Sequence, residues 1–217
     1  MHCVCICRKH YQVSCMDNSP EKTEYRPTPG RVFALGTLIP GAILLFAAAL
    51  IGIWPFGNGL ILEVDSIHQY LPFITELRRH FIAGDSLFYS FSGGLGYNLW
   101  ANLAYYGASP LNYLTVLMPE AAVCDFMVWL ILLKVALCGG VFSWYLRRGE
   151  RGNVLFALSL GTAYALSNFF MGYKFNLMWL DSIAVAPLIM YGIERLVERR
   201  GSGVYLLSLF YAIWCNY

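Results

Sequence analysis

The sequence predicts an all-α, polytopic membrane protein. It should have about five transmembrane helices, the last one truncated, and a large first extracytoplasmic loop carrying amphipathic interfacial helices. Three observations carry this prediction. The chain is 58% hydrophobic and only 13% charged, where soluble domains carry about 25% charged residues. Its apolar runs approach the roughly 20 residues that a helix needs to cross the hydrocarbon core. Its lysines and arginines gather at alternate ends of those runs, as the positive-inside rule expects. The lipid bilayer is therefore the expected surroundings. The net charge of +2, with no basic stripe and interleaved aromatics, argues against a nucleic-acid partner.

Residues 1–31 read as a disordered cytoplasmic tail. Cys3, Cys5, Cys7 and Cys15 crowd there with His2 and His10. A zinc site would want a second, distant pair of ligands, so a plain leader is the preferred reading over a metal site. A signal peptide is not expected, because the first apolar run starts about 30 residues in and no small-residue cleavage pattern follows it. Cys124, Cys138 and Cys215 fall in apolar runs and should pack as small apolar residues.

The first span is expected over 32–54, a run without a charge. Residues 55–123 form the large loop. The second span, 124–146, contains Asp125 and Lys134. A third, 154–170, is shorter, and Ser159, Gly161, Thr162 and Ser167 suit close helix packing. The fourth covers 179–197. The run 204–217 reads as the start of a fifth, cut off by the end of the chain.

Charge fixes the expected orientation. Arg8, Lys9, Lys22, Arg26 and Arg31 precede the first run; Arg147, Arg148 and Arg151 follow the second; Arg195, Arg199 and Arg200 follow the fourth. The other segments carry only Arg78, Arg79 and Lys174. The N-terminus is accordingly expected in the cytoplasm, and the 55–123 loop outside it.

A connector of that length should carry function or structure of its own. It begins with "ILEVDSIHQYLPF", residues 61–73, which sets Asp65, His68 and Gln69 beside a greasy run. From 66 to 81, Ile67, Tyr70, Leu71, Ile74, Leu77 and Phe81 recur at helical spacing, with Asp65, Gln69, Glu76 and His80 along the other side. That pattern predicts an amphipathic helix on the membrane surface. Gly84 can end it. Pro72 conflicts with it unless the helix begins near that residue. Farther on, Gly93, Gly94 and Gly96 suggest a tight turn, with no dinucleotide or phosphate-loop signature around them. Tyr97, Trp100, Tyr105, Tyr106 and Tyr113 suit the headgroup region, or can stack on a sugar; the anchoring reading is preferred.

In order along the chain stand Pro55-Phe56-Gly57, Asp65 with Gln69-Tyr70, "GGLGYN", "YYGASPLNYL", "LLKVALCGGVFSWYL", "YALS" and "MWLDSIAVAPLIMYGIERLV". On these residues, residues 33–217 resemble the N-terminal part of a YfhO-family bacterial membrane protein. The resemblance implies a GT-C-like polytopic glycosyltransferase in the bacterial cell membrane. Such an enzyme takes a sugar from a polyprenyl-phosphate carrier on the outer face and passes it to an envelope polymer such as lipoteichoic acid. Family members are several times longer, so this chain reads as a truncated part whose activity alone is in question.

The candidate residues follow. Asp65 read alone is a helix N-cap. The resemblance makes it the catalytic residue instead, since an acid soon after the first span serves the reaction in similar enzymes. A carboxylate there can take the acceptor hydroxyl proton or hold a divalent cation, the one cofactor expected, against the phosphate. Capping and catalysis can coexist only if its second oxygen stays free. Gln69, one turn on, can orient Asp65 or bind substrate. Tyr70, Tyr105 and Tyr106 join it as substrate-binding candidates. His68 reads as an interfacial bystander and Asp85 as part of a turn. Asp181 opens the fourth span as a cap or as part of a polar cavity. Lys134 lies about 15 Å into the second span and should face the bundle interior. It can meet a carrier phosphate, pair with a carboxylate from the part of the enzyme beyond this chain, or snorkel. Glu194 and Arg195 are expected to pair at the interface. The alternatives to an enzyme are a transporter, which would want polar residues through several spans, and a non-catalytic assembly partner.

Overall fold

The computed structural model describes residues 27–148 and 153–216. The cysteine-rich leader lies outside the described residues. Within them the chain is helical, with no β-strand, only two isolated bridges. Among the described residues, three helices are long and apolar enough to cross a membrane.

The first, α1, runs Pro29–Ile51, with Pro29 in its first turn, where a missing N–H costs nothing. Gly52 ends it at φ 76°, a left-handed conformation that glycine adopts without penalty. The second long helix, α4, runs Val123–Arg147, and the third, α7, runs Leu177–Val197. Between them lies the expected third span, which is broken. Helix α5, Val154–Ala165, has 12 residues and ends at Leu166. Ser167 turns extended, and the short helix α6 covers Asn168–Tyr173. The last helix, α8, covers Gly203–Cys215.

The bundle is organised around α4, which packs against α1, α5 and α7. Helix α1 buries Val32, Gly36, Pro40, Leu44 and Ala48, one residue per turn. That stripe meets Gly139 and Ser143 of α4, and Gly140 lies against Phe33 and Thr37 beside it. A Cβ on Gly139 would lie 2.7 Å from the Gly36 carbonyl oxygen, and one on Gly36 2.4 Å from Ser143 Oγ. Small residues let the two backbones touch, which is how helices gain van der Waals contact where lipid gives no hydrophobic drive. Helices α7 and α8 use the same device: a Cβ on Gly192 would meet the Tyr205 backbone at 2.5 Å.

The long connection between α1 and α4 folds into structure of its own at one end of the bundle, the loop face. A π-helical turn, Ser66–Tyr70, leads into α2, Leu71–Ala83. Pro72 is the second residue of α2, at the junction where the π-helical turn passes into the α-helix, and the helix continues through it. Gly84, at φ 72°, caps its far end. Tyr70, Ile74 and Leu77 are fully buried, as their spacing predicts. Their partners are protein: Tyr70 and Ile74 join the main core, and Leu77 packs with Leu99 and Leu103. Phe81 stays 43% exposed, edge-on to Tyr113.

Glu76 departs from the expected solvated side. A turn through Gly94 (φ 56°) and Gly96 (φ 101°) folds the chain back so that Ser90 pairs with Tyr97. This brings the Ser90 hydroxyl to 2.5 Å from Glu76 Oε1, while His80 Nε2 lies 3.0 Å from the same oxygen. Burial by itself would raise the Glu76 carboxyl. The hydroxyls of Ser90 and Ser92 and the imidazole of His80 outweigh it and hold the group below the usual 4.5.

The next stretch turns inward. A short helix, α3 (Leu99–Asn102), is capped by the Asn98 side chain. A π-helical turn over Leu103–Gly107 and a 3-10 helix over Pro110–Leu117 follow. Ser109, Asn112 and Thr115 are completely buried. This part of the loop is packed into the bundle between α4, α7 and α8, not laid over it.

Candidate functional site

Two polar groups share the loop face, and a chain of hydrogen bonds joins them. The outer group begins at Asp65. Its backbone is already helical, and its side chain caps no backbone N–H. Instead, Gln69 Nε2 donates to Asp65 Oδ1 at 2.9 Å. Tyr106 Oη in turn donates to Gln69 Oε1 at 2.5 Å. Among the described residues, no donor reaches Asp65 Oδ2. Asp65 and Gln69 are half-buried and His68 is exposed.

Aromatic rings wall this group. Tyr106 lies edge-on to Tyr70 at 5.2 Å and to Tyr105 at 4.7 Å, and tilts against Phe73 at 4.8 Å. Tyr105 is 41% exposed and open to a ligand, whereas Tyr70 is fully buried and holds the wall from behind. Burial, with neighbouring Tyr105 and the Asp65 charge adding to it, raises the Tyr106 phenol. It therefore stays protonated and keeps donating to Gln69.

The inner group is an ion pair. Lys134 sits in the middle of α4, and its Nζ donates to Asp181 Oδ2 at 2.5 Å. The two side chains are 1% and 2% exposed. Side chains on a helix lean toward its N-terminus, and α4 begins at the loop face. The lysine therefore climbs toward that face and meets Asp181 in the second turn of α7. Its other two donors reach Ser109 Oγ at 3.2 Å and Asn112 Oδ1 at 3.1 Å. Asp181 Oδ1 accepts from Ser109 Oγ at 2.8 Å and from Tyr211 Oη at 3.2 Å. Every ammonium proton has a partner. Lys134 is paired, but with Asp181 of this chain, not with a carboxylate from beyond it: the side chain is buried, and all three ammonium protons have partners here.

Asn112 links the groups. It accepts from Lys134 and donates Nδ2–H to the Tyr106 carbonyl at 3.4 Å. A continuous path thus runs from Asp181 through Lys134, Asn112, Tyr106 and Gln69 to Asp65. Reading the sequence for charge missed Ser109, Asn112 and Tyr211, which are neutral; only the place of the first two inside "YYGASPLNYL" singled them out.

Two hollows adjoin. An apolar groove of about 300 Å³ lies between the 103–113 segment and α8, lined by Trp100, Leu103, Tyr113, Phe210, Ile213 and Trp214. Trp214 Nε1 closes one end by donating to the Ala108 carbonyl at 2.9 Å. A more polar cavity of about 490 Å³ follows α2 from Ile67 to Arg79, with Thr75, Glu76, Ser92 and Tyr97 in its walls. Asp65 is not part of that lining.

Among the described residues, no three histidine, cysteine, aspartate or glutamate side chains converge as metal ligands. Asp65 supplies one carboxylate with a free oxygen. That suits a magnesium-type cation, which keeps its waters and takes further oxygens from a substrate phosphate.

At the opposite end of the bundle, the expected Glu194–Arg195 pair does not form. Adjacent residues on a helix point about 100° apart. Glu194 instead accepts from Tyr145 Oη at 2.6 Å and pairs with Arg148 across the α4–α7 contact.

A family model described as bacterial membrane protein YfhO matches residues 36–217. No match is found among curated proteins or among solved structures.

Proposed function

This chain belongs to the YfhO family of bacterial membrane proteins, and on that premise we propose that it serves a GT-C-like membrane glycosyltransferase. The enzyme moves a sugar from a polyprenyl-phosphate donor to an envelope polymer such as lipoteichoic acid. The chain sits in the bacterial cell membrane with its N-terminus in the cytoplasm and its loop face outside. Arginines gathered at the opposite face support this orientation.

Asp65 is the proposed catalytic base, and the observation that carries the reading is the state of its carboxylate. Gln69 holds Oδ1 and leaves Oδ2 free. In an inverting transfer the acceptor hydroxyl attacks the anomeric carbon from the side opposite the phosphate. The C–O bond to the phosphate breaks, and the phosphate leaves with its electron pair. Asp65 Oδ2 takes the hydroxyl proton as the new bond forms. Gln69 fixes the carboxylate, and Tyr106 fixes Gln69. Tyr105 offers an open ring for a sugar face. The apolar groove beside α8 suits the first isoprene units of a lipid carrier. In the alternative role Asp65 would hold a divalent cation, which would offset charge on the leaving phosphate, in place of taking the proton.

Lys134 and Asp181 take a supporting part: they anchor the segment that carries Tyr106. A transporter is the second reading, because a buried charge pair inside a bundle is also what a transport pathway uses.

The test compares wild type with Asp65→Asn at matched expression, for sugar transfer from a polyprenyl-phosphate donor in membranes. Loss of a general base lowers turnover by about 10²–10⁴-fold. Unchanged turnover removes Asp65 from catalysis. Solute uptake that depends on Lys134, with no transfer activity, moves the assignment to transport.

A further inference from the structure

The face opposite the loop holds a second cavity that the transfer reaction does not use. Its volume is about 360 Å³, and its walls are Pro29, Trp144, Arg148, Tyr191, Arg195 and Arg200, with Glu198 at the edge. Three guanidinium groups line it. Each nearby carboxylate is already engaged: Glu194 by Arg148 and Tyr145, and Glu198 by Arg200 Nε at 3.1 Å. Arg195 has no carboxylate partner among the described residues. Its donors go to neutral oxygens, Tyr191 Oη at 3.4 Å and the Arg200 carbonyl at 2.7 Å. That carbonyl is presented by a turn in which Arg199 adopts φ 56°. Among the described residues, the cavity therefore carries one positive charge in excess.

Two further features favour an anion. Pro29 brings the N-terminus of the 23-residue helix α1 to the wall, with no capping side chain and no acid in its first turn. The floor is aromatic: Trp144 lies edge-on to Tyr191 at 5.4 Å, and the Arg148 guanidinium stacks 3.5 Å over the Tyr191 ring. Tryptophan and tyrosine at the ends of spanning helices mark the headgroup level. Arginine forks match phosphate oxygens in pairs.

We propose that this arginine-lined cavity binds the phosphodiester headgroup of an anionic phospholipid. Arg195 is the main phosphate ligand. The lipid pins the ends of α1, α4 and α7 together on the face away from the proposed chemistry. This assignment does not depend on the glycosyltransferase reading.

The experiment titrates short-chain phosphatidylglycerol, phosphatidylcholine or inorganic phosphate into the purified full chain in a neutral detergent and follows the thermal unfolding midpoint. Phosphatidylglycerol should raise the midpoint saturably, and phosphatidylcholine should not. Arg195→Gln should need about tenfold more phosphatidylglycerol for the same shift, the loss of one charge-assisted contact. Arg79→Gln, the same charge change on the loop face and outside the lining, should match wild type. Equal shifts with the two lipids, or an Arg195→Gln titration that overlays wild type, overturn the proposal. So does an equal loss in Arg79→Gln, which would reduce the effect to net charge. A full shift from inorganic phosphate alone overturns the lipid as occupant. Where Arg195→Gln yields no folded protein, Arg195→Lys takes its place: it keeps the charge and loses the planar fork. Weaker phosphatidylglycerol binding is expected from it, and unchanged binding counts against the site.

Discussion

Lys134 of α4 and Asp181 of α7 meet at 2.5 Å with almost no exposure to solvent, 47 residues apart in the chain. They bring Ser109, Asn112 and Tyr211 into one network, so two helices, α8 and the inward part of the loop share a single polar centre. Removing one charge strands the other in an apolar interior.

Lys134→Met should therefore destabilise the bundle by about 3–5 kcal/mol, the cost of an unpaired buried charge. The double variant Lys134→Met with Asp181→Leu should recover much of that loss. Thermal unfolding of the purified variants in detergent measures both. A double variant no more stable than the single would mean that the charges do not act as a pair.

Gln69 bridges Tyr106 and Asp65. Gln69→Leu leaves the Asp65 carboxylate unheld and costs about 1.5–3 kcal/mol of charge-assisted hydrogen bonding. Under the proposed mechanism turnover should fall by about tenfold or more, with little change in donor KM. Tyr106→Phe should be milder, since it removes only a contact between neutral groups. Steady-state kinetics decides: an effect confined to KM would make Gln69 a substrate ligand.

Glu76 gives the loop a dependence on acid. Its carboxyl is held below 4.5 in the folded chain. A depressed carboxylate contributes stability above its unfolded value, and that contribution is lost as pH falls through the folded value. Protection of α2 amides against hydrogen exchange should accordingly drop below pH 4.5. Glu76→Gln should show weaker protection at neutral pH and a flatter profile. A wild-type profile with no acid limb would contradict the Ser90 and His80 contacts.

Gly139 is where α1 and α4 come closest. Gly139→Ala puts a methyl group against the Gly36 carbonyl and the Pro40 ring. Overpacking of this kind costs about 1–3 kcal/mol. Gly30→Ala, with open space around it, should leave the unfolding midpoint unchanged. Equal midpoints for the two variants would show that the helices can separate freely at Gly139.

Much of the fold was legible because lipid imposes a simple rule. A chain in hydrocarbon must satisfy its backbone within itself, so long apolar runs become helices, as Pro29–Ile51 and Leu177–Val197 do. Period also served: Tyr70, Ile74 and Leu77 are buried as their spacing demands. The third span was misjudged because composition does not register Ser167, whose extended backbone breaks the helix. Glu76 was misjudged because the groups that bury it, Ser90 and Ser92, arrive through a turn that helical periodicity cannot follow.

The candidate site divides along the same line. Local spacing set Gln69 one turn after Asp65, and the hydrogen bond between them is a property of that short stretch. The sequence by itself determined the membrane character, the helical runs and the candidate acids. Tertiary structure alone decided that Lys134 answers Asp181, that Asn112 joins this pair to Tyr106, and that Glu194 turns to Arg148. Each is a contact between segments far apart in the chain. Hydropathy reports how a residue stands toward its solvent, whereas the partner of a buried charge is chosen by which helices pack side by side.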